Sequence, residues 1–376
     1  MTNEQYSRRD CLLAAGTVAA VGSAGCTNAL SGATQTPPIE SIEPDWTVDV
    51  AGYFESDPVI AGDTLYVGAN EPDRPRNTLY ALDHTDGSET WTATVEGGLE
   101  APPTVADGVV YAVTNENRVY AFDASEGTEQ WQFRRTAGDT LRAAPAVAGD
   151  TVYVGALSTT TDGRVAGLYA LNRADGSQQW MQKTRGGVGG APVVVDDTIY
   201  SATVDGWLTA RNTSDGTRQW RQIIASDATN AGPVVVGDTI YAGGVNGFDG
   251  AAVAIDRASG DELWRAELED WPGASVAVAG ETVYVGIEEP ALVYALRTSD
   301  GSTRWSHELG GQIHSQPVVT ENHVYVAGDN VLALDRDGGT PRLRLESEGY
   351  HYLSTIAEGT LYVVNSEGRL QALPTA

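Results

Sequence analysis

One spacing constrains this chain more than any other feature. Ala81, Asp83, Gly87 and Trp91 stand at offsets 0, +2, +6 and +10. The frame returns at Ala121, Asp123, Gly127 and Trp131, then at Ala170, Asn172, Gly176 and Trp180, and then at Ala210, Asn212, Gly216 and Trp220. It continues at Ala254, Asp256, Gly260 and Trp264, and at Ala295, Gly301 and Trp305, where Arg297 takes the polar position. Each copy reads as a hairpin. An apolar run ending in Ala is a strand packed closely on a neighbour. The Asp or Asn and the following X-Gly pair supply the turn, with glycine free to take φ > 0. The Trp opens the next strand and buries a large ring against an adjacent unit. A repeat of this period means a solenoid or a propeller.

A second marker leads each unit. Tyr recurs at positions 66, 111, 153, 200, 241, 284, 325 and 362, and eight residues earlier stand Pro58, Pro103, Pro145, Pro192, Pro233, Val276, Pro317 and Ser354. Each unit therefore holds four short strands: A ends at a Gly-Asp-type turn, B carries Tyr, C carries Ala and D carries Trp. Four strands per unit, with no 3.6-residue period over ten residues or more, is a propeller blade. The predicted fold is all-β, an eight-bladed propeller of four-stranded antiparallel blades. In the seventh blade the frame Ala333-Asp335-Gly339 puts Leu343 where Trp would stand. The eighth blade runs out at Ala372, and Trp46 lies twelve residues before Pro58, the usual Trp-to-Pro gap. The N-terminal strand is thus expected to close the ring as strand D of blade eight, which removes two exposed sheet edges.

The residues ahead of the propeller read as targeting. Arg8-Arg9 precedes a short apolar run from Cys11 to Val21, too short for an ordinary membrane-spanning helix, and then Ser23-Ala24-Gly25-Cys26. This resembles a twin-arginine signal over residues 1–25 ending in a lipobox, with Cys26 as the lipidated first residue of the mature chain. Ser23 departs from the aliphatic residue a lipobox usually carries. Residues 26–45, rich in Ser, Thr, Gly and Pro, read as a flexible tether, and residues 46–376 as the propeller. The expected location is secreted, on the outer face of the cytoplasmic membrane and anchored there by lipid. Cys11 and Cys26 are the only cysteines, so a mature domain would carry no disulfide and no thiol chemistry.

Charge narrows the partners. Asp and Glu number 51 against 23 Lys and Arg, a net charge of −28. Such a surface repels nucleic acid and anionic lipid, leaving the membrane to be met through the N-terminal lipid alone. The acids are spread through strands in a chain that is 41% hydrophobic, which excludes a disordered acidic tail. Lys183 is the only lysine, a balance that suits a halophilic setting, where the Debye length at molar salt is about 3 Å.

The pattern A-x-[D/N]-x-x-x-G-x-x-x-W after a Tyr-bearing strand resembles the tryptophan-docking repeat of the quinoprotein (pyrroloquinoline quinone, PQQ) alcohol dehydrogenase-like propellers, over residues 46–376. On that resemblance Trp46, Trp91, Trp131, Trp180, Trp220, Trp264 and Trp305 are structural docking residues. Two branches of the superfamily compete. The quinone enzymes are usually longer and commonly have a vicinal disulfide under the quinone, a Ca²⁺ site and a base Asp, none of which is matched here. The lean blades and the lipobox resemble the non-enzymatic BamB-like lipoproteins. The resemblance therefore implies a membrane-anchored binding or assembly scaffold, monomeric, without cofactor and docking a protein partner on its loop-bearing funnel face. The outer-membrane task of that branch does not follow from the fold alone. The alternative is a quinone- or metal-dependent dehydrogenase using the central funnel.

Register yields one candidate site. Three residues before each Pro-equivalent come Glu55, Glu100, Arg142, Gly189, Asn230, Gly273, His314 and His351. His314, His351, Glu55 and Glu100 fall on the consecutive blades seven, eight, one and two of a closed ring, and two imidazoles beside two carboxylates are a donor set for a divalent cation. The bland reading of the same ring is a hydrated polar funnel without a ligand. Long B–C connections, around residues 70–76, 157–164 and 244–250, are expected to decorate that face. His84, His307 and His323 lie in or near turns and read as solvated.

Overall fold

The structure is a computed structural model. It describes residues 40–41, 43–71, 76–135, 140–157, 166–228, 232–246, 249–269, 276–287, 291–309, 312–313, 315–345 and 351–375. The signal and lipobox assignments, Cys26 included, lie outside these residues.

Eight antiparallel sheets succeed one another along the chain. Blade one shows the plan: strand A is Val59–Ala61, B is Thr64–Asn70, C is Arg76–Asp83 and D is Glu89–Glu96, hydrogen-bonded in that order. Strand A of every blade touches strand A of the next, and strand A of blade eight touches that of blade one. The A strands thus form a closed inner ring, and the D strands are the outermost of each blade's own four. Closure is by the N-terminal strand: Trp46–Asp49 pairs antiparallel with Arg369–Pro374, Trp46 opposite Ala372.

The repeat frame has a physical reason in the register. Tyr66 lies opposite Ala81 and Ala81 opposite Trp91, one row across strands B, C and D. The small Ala lets the two flanking rings approach over it, with centroids 5.9 Å apart. The row recurs as Tyr362, Ala372 and Trp46 in the closing blade. After Ala81 the register shifts by a bulge. The Asp83 carboxylate then accepts bonds from the Thr85 amide and hydroxyl. Those two bonds hold its pKa below the usual carboxylate value, and they fix the turn that presents Gly87.

The indole of each blade rests on the turn of the next. The Trp91 ring lies so close to Gly127 that a Cβ there would be 2.5 Å from the indole Cδ2, and its Nε1 donates to the Ala124 carbonyl at 2.9 Å. The same arrangement joins Trp46 to Gly87, Trp131 to Gly176, Trp180 to Gly216, Trp220 to Gly260, Trp264 to Gly301 and Trp305 to Gly339. Seven of the eight interfaces are stapled in this way, and the exception explains Leu343. Strands C and D of blade eight come from opposite ends of the chain, so no C–D turn exists there for an indole to rest on. Leu343 instead packs with Leu361 and Leu373 of blade eight.

Strand pairing begins earlier than the spacing predicts. Glu40–Ser41, inside the stretch read as tether, pairs in parallel with Leu343 and Arg344 as a fifth strand on blade seven. The compact unit accordingly starts at Pro38. The long B–C connection of blade five is largely an extended ladder, with pairing carried out to Asn246 opposite Asp249.

Candidate funnel site

Antiparallel topology puts the D–A and B–C connections at one end of the ring. At this end the chain pairs once more before strand A. Tyr53–Phe54 lies against Ala69–Asn70 in blade one, and Asp227–Ala228 lies against Gly244–Val245 in blade five. Single bridges join Thr140 to Leu157, Val188 to Thr203 and Ile313 to Gly328 in blades three, four and seven. In these five blades the pairings hold the residues just ahead of strand A at the funnel mouth.

Of the four candidate ligands, the structure brings Glu55 and Glu100 near one another. Glu55 Oε2 accepts from Asn70 Nδ2 at 2.8 Å, and Glu100 Oε1 accepts from Asn115 Nδ2 at 2.5 Å. Arg142, at the same register position in blade three, pairs with Glu100 Oε2 at 2.9 Å. Burial raises the Glu55 pKa and the Glu100 charge adds to it, while the Asn70 bond and the Arg142 charge act in the opposite direction. Burial and both carboxylates also raise the Tyr53 hydroxyl. His351 opens strand A of blade eight with its backbone opposite Asn365. His314 lies outside the described residues. Among the described residues no group of three His, Cys, Asp or Glu is placed to hold a metal ion.

The two asparagines escaped the sequence reading. Both also tie their carboxylates to the one connection that enters strand A of blade two: Asn70 Oδ1 accepts from the Leu99 amide and Asn115 Oδ1 from the Gly98 amide, at 2.8 and 2.7 Å. Their signal was available, since Asn70 and Asn115 both stand four residues after the blade Tyr, in the two blades that carry Glu. Asp57 was also missed. Its Oδ1 is enclosed and without a hydrogen-bond partner among the described residues, and burial raises its carboxyl to about 7.

His84 corrects the solvated reading. It is 6% exposed, and its Nδ1 lies 2.8 Å from the Tyr362 hydroxyl across the seam between blades eight and one. His307 is half-buried, which lowers its pKa.

Together these features define a lean eight-bladed propeller with indole-docked blades and a polar, partly ion-paired funnel mouth. The chain belongs to the family described as outer membrane protein assembly factor BamB, which matches residues 39–168, 141–248 and 248–376. The BamB of Burkholderia pseudomallei is 26% identical over 358 residues, covering 81% of this chain and 89% of that protein. Among solved structures, BamB from Moraxella catarrhalis superposes with a TM-score of 0.60 at 19% identity, covering 86% of each chain. The quinohemoprotein alcohol dehydrogenase of Comamonas testosteroni gives 0.72 at 13% identity, over 89% of this chain and 76% of that one. The last two likenesses show the fold alone.

Proposed function

We propose that this protein is a non-enzymatic assembly scaffold that docks a protein partner on its funnel face. In this proposal it is exported by the signal in residues 1–25 and held on the outer face of the cytoplasmic membrane by a lipid on Cys26. The observation that carries the reading is the family match, which runs through three successive stretches and spans nearly the whole propeller. The relatives so matched are named as assembly factors. The rigid closed ring, with extended B–C ladders at one end, supports docking at that end.

The test is photo-crosslinking in native membranes, with the reactive residue at Glu71 on the funnel face or at Gly237 on the opposite end. The reading requires a discrete protein adduct from position 71. Adducts from position 237 alone would refute the face assignment. Cys26→Ser should move the protein to the soluble fraction, and its retention on membranes after a high-salt wash would refute the anchor.

A second reading places a divalent cation among His314, His351, Glu55 and Glu100. It is favoured by the approach of two like charges at Glu55 and Glu100, although Arg142 neutralises part of that charge. A quinone-dependent dehydrogenase rests on fold likeness and on a local sequence match, to one quinohemoprotein alcohol dehydrogenase, that covers 33% of this chain and 20% of that protein. It would require that the protein, supplied with pyrroloquinoline quinone and Ca²⁺, reduce an artificial dye.

A further inference from the structure

The opposite end of the ring, formed by the A–B and C–D turns, carries a pattern of its own. The residue after the polar position of each C–D turn is His84, Ala124, Arg173, Thr213, Arg257, Thr298 and Arg336 in blades one to seven. Where it is Arg, its guanidinium reaches back into the seam with the preceding blade. Arg173 Nε donates to the Tyr111 hydroxyl at 2.9 Å, Nη2 to the Ala106 carbonyl at 2.9 Å and Nη1 to Asp107 Oδ2 at 2.6 Å. Arg336 repeats this, with Nε to the Tyr284 hydroxyl at 3.2 Å and Nη2 to the Ala279 carbonyl at 3.0 Å. Arg257 donates from Nη1 to Asp196 Oδ2 at 3.1 Å. Arg173 engages all three acceptor types, a strand B Tyr hydroxyl, the last carbonyl of strand A and a carboxylate of an A–B turn; Arg336 shares the hydroxyl and the carbonyl, and Arg257 shares the carboxylate, with Asp238 of its own blade at 3.6 Å as a second one.

Between blades three and four the residue is Thr213, too short to reach these acceptors. Tyr153 and Ala148 occupy the positions of Tyr111 and Ala106, and a cavity of about 280 Å³ opens beside them, lined also by Gly149, Asp196, Asp197 and Thr213. The Tyr153 hydroxyl donates to the Thr213 carbonyl at 3.4 Å and is also hydrogen-bonded by the Thr151 side chain, so its oxygen keeps one further lone pair for an incoming donor. Asp196 is engaged by Arg257, whereas the Asp197 carboxylate has no ion-pair partner among the described residues. Arg211, buried in strand C of blade four, donates to the Gly216 carbonyl and does not line this cavity.

We propose that this seam is a socket for the arginine side chain of a cationic partner segment. The chain itself fills sister seams with guanidinium groups in cis, so the ligand chemistry is written into its own repeat. A planar fork with five N–H donors matches a hydroxyl, a carbonyl and a carboxylate set around one cavity better than a point-charge ammonium does. A net charge of −28 draws such segments to the surface. The socket lies away from the funnel mouth and stands whether or not the funnel face docks a partner.

The experiment is calorimetric titration of acetyl-Gly-Arg-Gly-amide into the mature protein, at the lowest salt that retains the fold. The citrulline and lysine peptides serve as controls. Binding should be specific to the arginine peptide. Thr213→Arg, which supplies the guanidinium in cis, should weaken it more than tenfold and raise the melting temperature. Tyr153→Phe keeps the ring, removes one acceptor and should weaken binding several-fold, so it decides the matter should Thr213→Arg fail to fold. Equal binding of citrulline or lysine peptides, or undiminished binding to a folded Thr213→Arg protein, would overturn the proposal.

Discussion

Two glycines in turns at the same end of the ring separate the cost of backbone strain from the cost of blade docking. Gly62, in the A–B turn of blade one, has φ +59° and open space where a Cβ would stand; Gly127, in the C–D turn of blade two, has φ +69° and the Trp91 ring 2.5 Å from that position. Alanine in the left-handed region costs about 1–2 kcal/mol, offset by about 0.4–1 kcal/mol from the stiffer unfolded chain. Gly62→Ala should therefore destabilise by about 0–1.6 kcal/mol. Gly127→Ala carries the same backbone terms, and it must also push the indole out of a close-packed seam, an overpacking cost of about 1–3 kcal/mol. The expected difference between the two is thus about 1–3 kcal/mol, read as a shift of the urea midpoint at unchanged m. The mechanism has an internal control. With Trp91→Ala in the background the obstacle is gone, and Gly127→Ala should then cost no more than Gly62→Ala. Equal costs for the two single variants, or an undiminished cost of Gly127→Ala without Trp91, would refute docking as the source of stability.

Three further expectations follow from the same geometry. Deleting residues 40–50 removes the closing strand and the fifth strand on blade seven, and it should lower the melting temperature and promote association through the bared edges; an unchanged melt with a monodisperse monomer would refute closure by pairing. Asp57 has a folded pKa raised to about 7, so the native state favours its proton. As pH climbs from about 4 to about 7 the unfolded chain ionises first and the native state loses stability, by at most about 4 kcal/mol. Asp57→Asn should abolish that loss, gaining on the parent at pH 8 but not at pH 4, and parallel stability–pH curves would exclude the effect. Titration of Ca²⁺, Zn²⁺ and Mn²⁺ into metal-stripped protein, with His314→Ala/His351→Ala as control, tests the cation reading. Heats that vanish in the double variant and weaken below about pH 6.5 support it, and identical heats in both proteins refute it.

The sequence by itself determined the blade count, the strands that carry Tyr, Ala and Trp, and closure through Trp46. These rest on local rules: strand periodicity, turn chemistry after Asp83 and its counterparts, and one gap repeated along the chain. It also determined that Leu343 breaks the pattern, but not why. The tertiary structure alone decided that no C–D turn faces Leu343, that Glu40–Ser41 adds a strand beside it, and that His84 is buried against Tyr362 from the far end of the chain. It likewise decided that Asn70 and Asn115 clamp the two glutamates, and that Arg173, Arg257 and Arg336 reach into their seams whereas Thr213 leaves its own open. Most of these are lateral contacts between blades, where residues far apart in sequence meet at an angle set by the ring; the asparagine–glutamate bonds lie within a blade, 15 residues apart, and depend on how the chain approaches strand A. The repeat fixes where a residue stands within its blade, but what it meets across the seam depends on the neighbouring blade's own departures from the repeat.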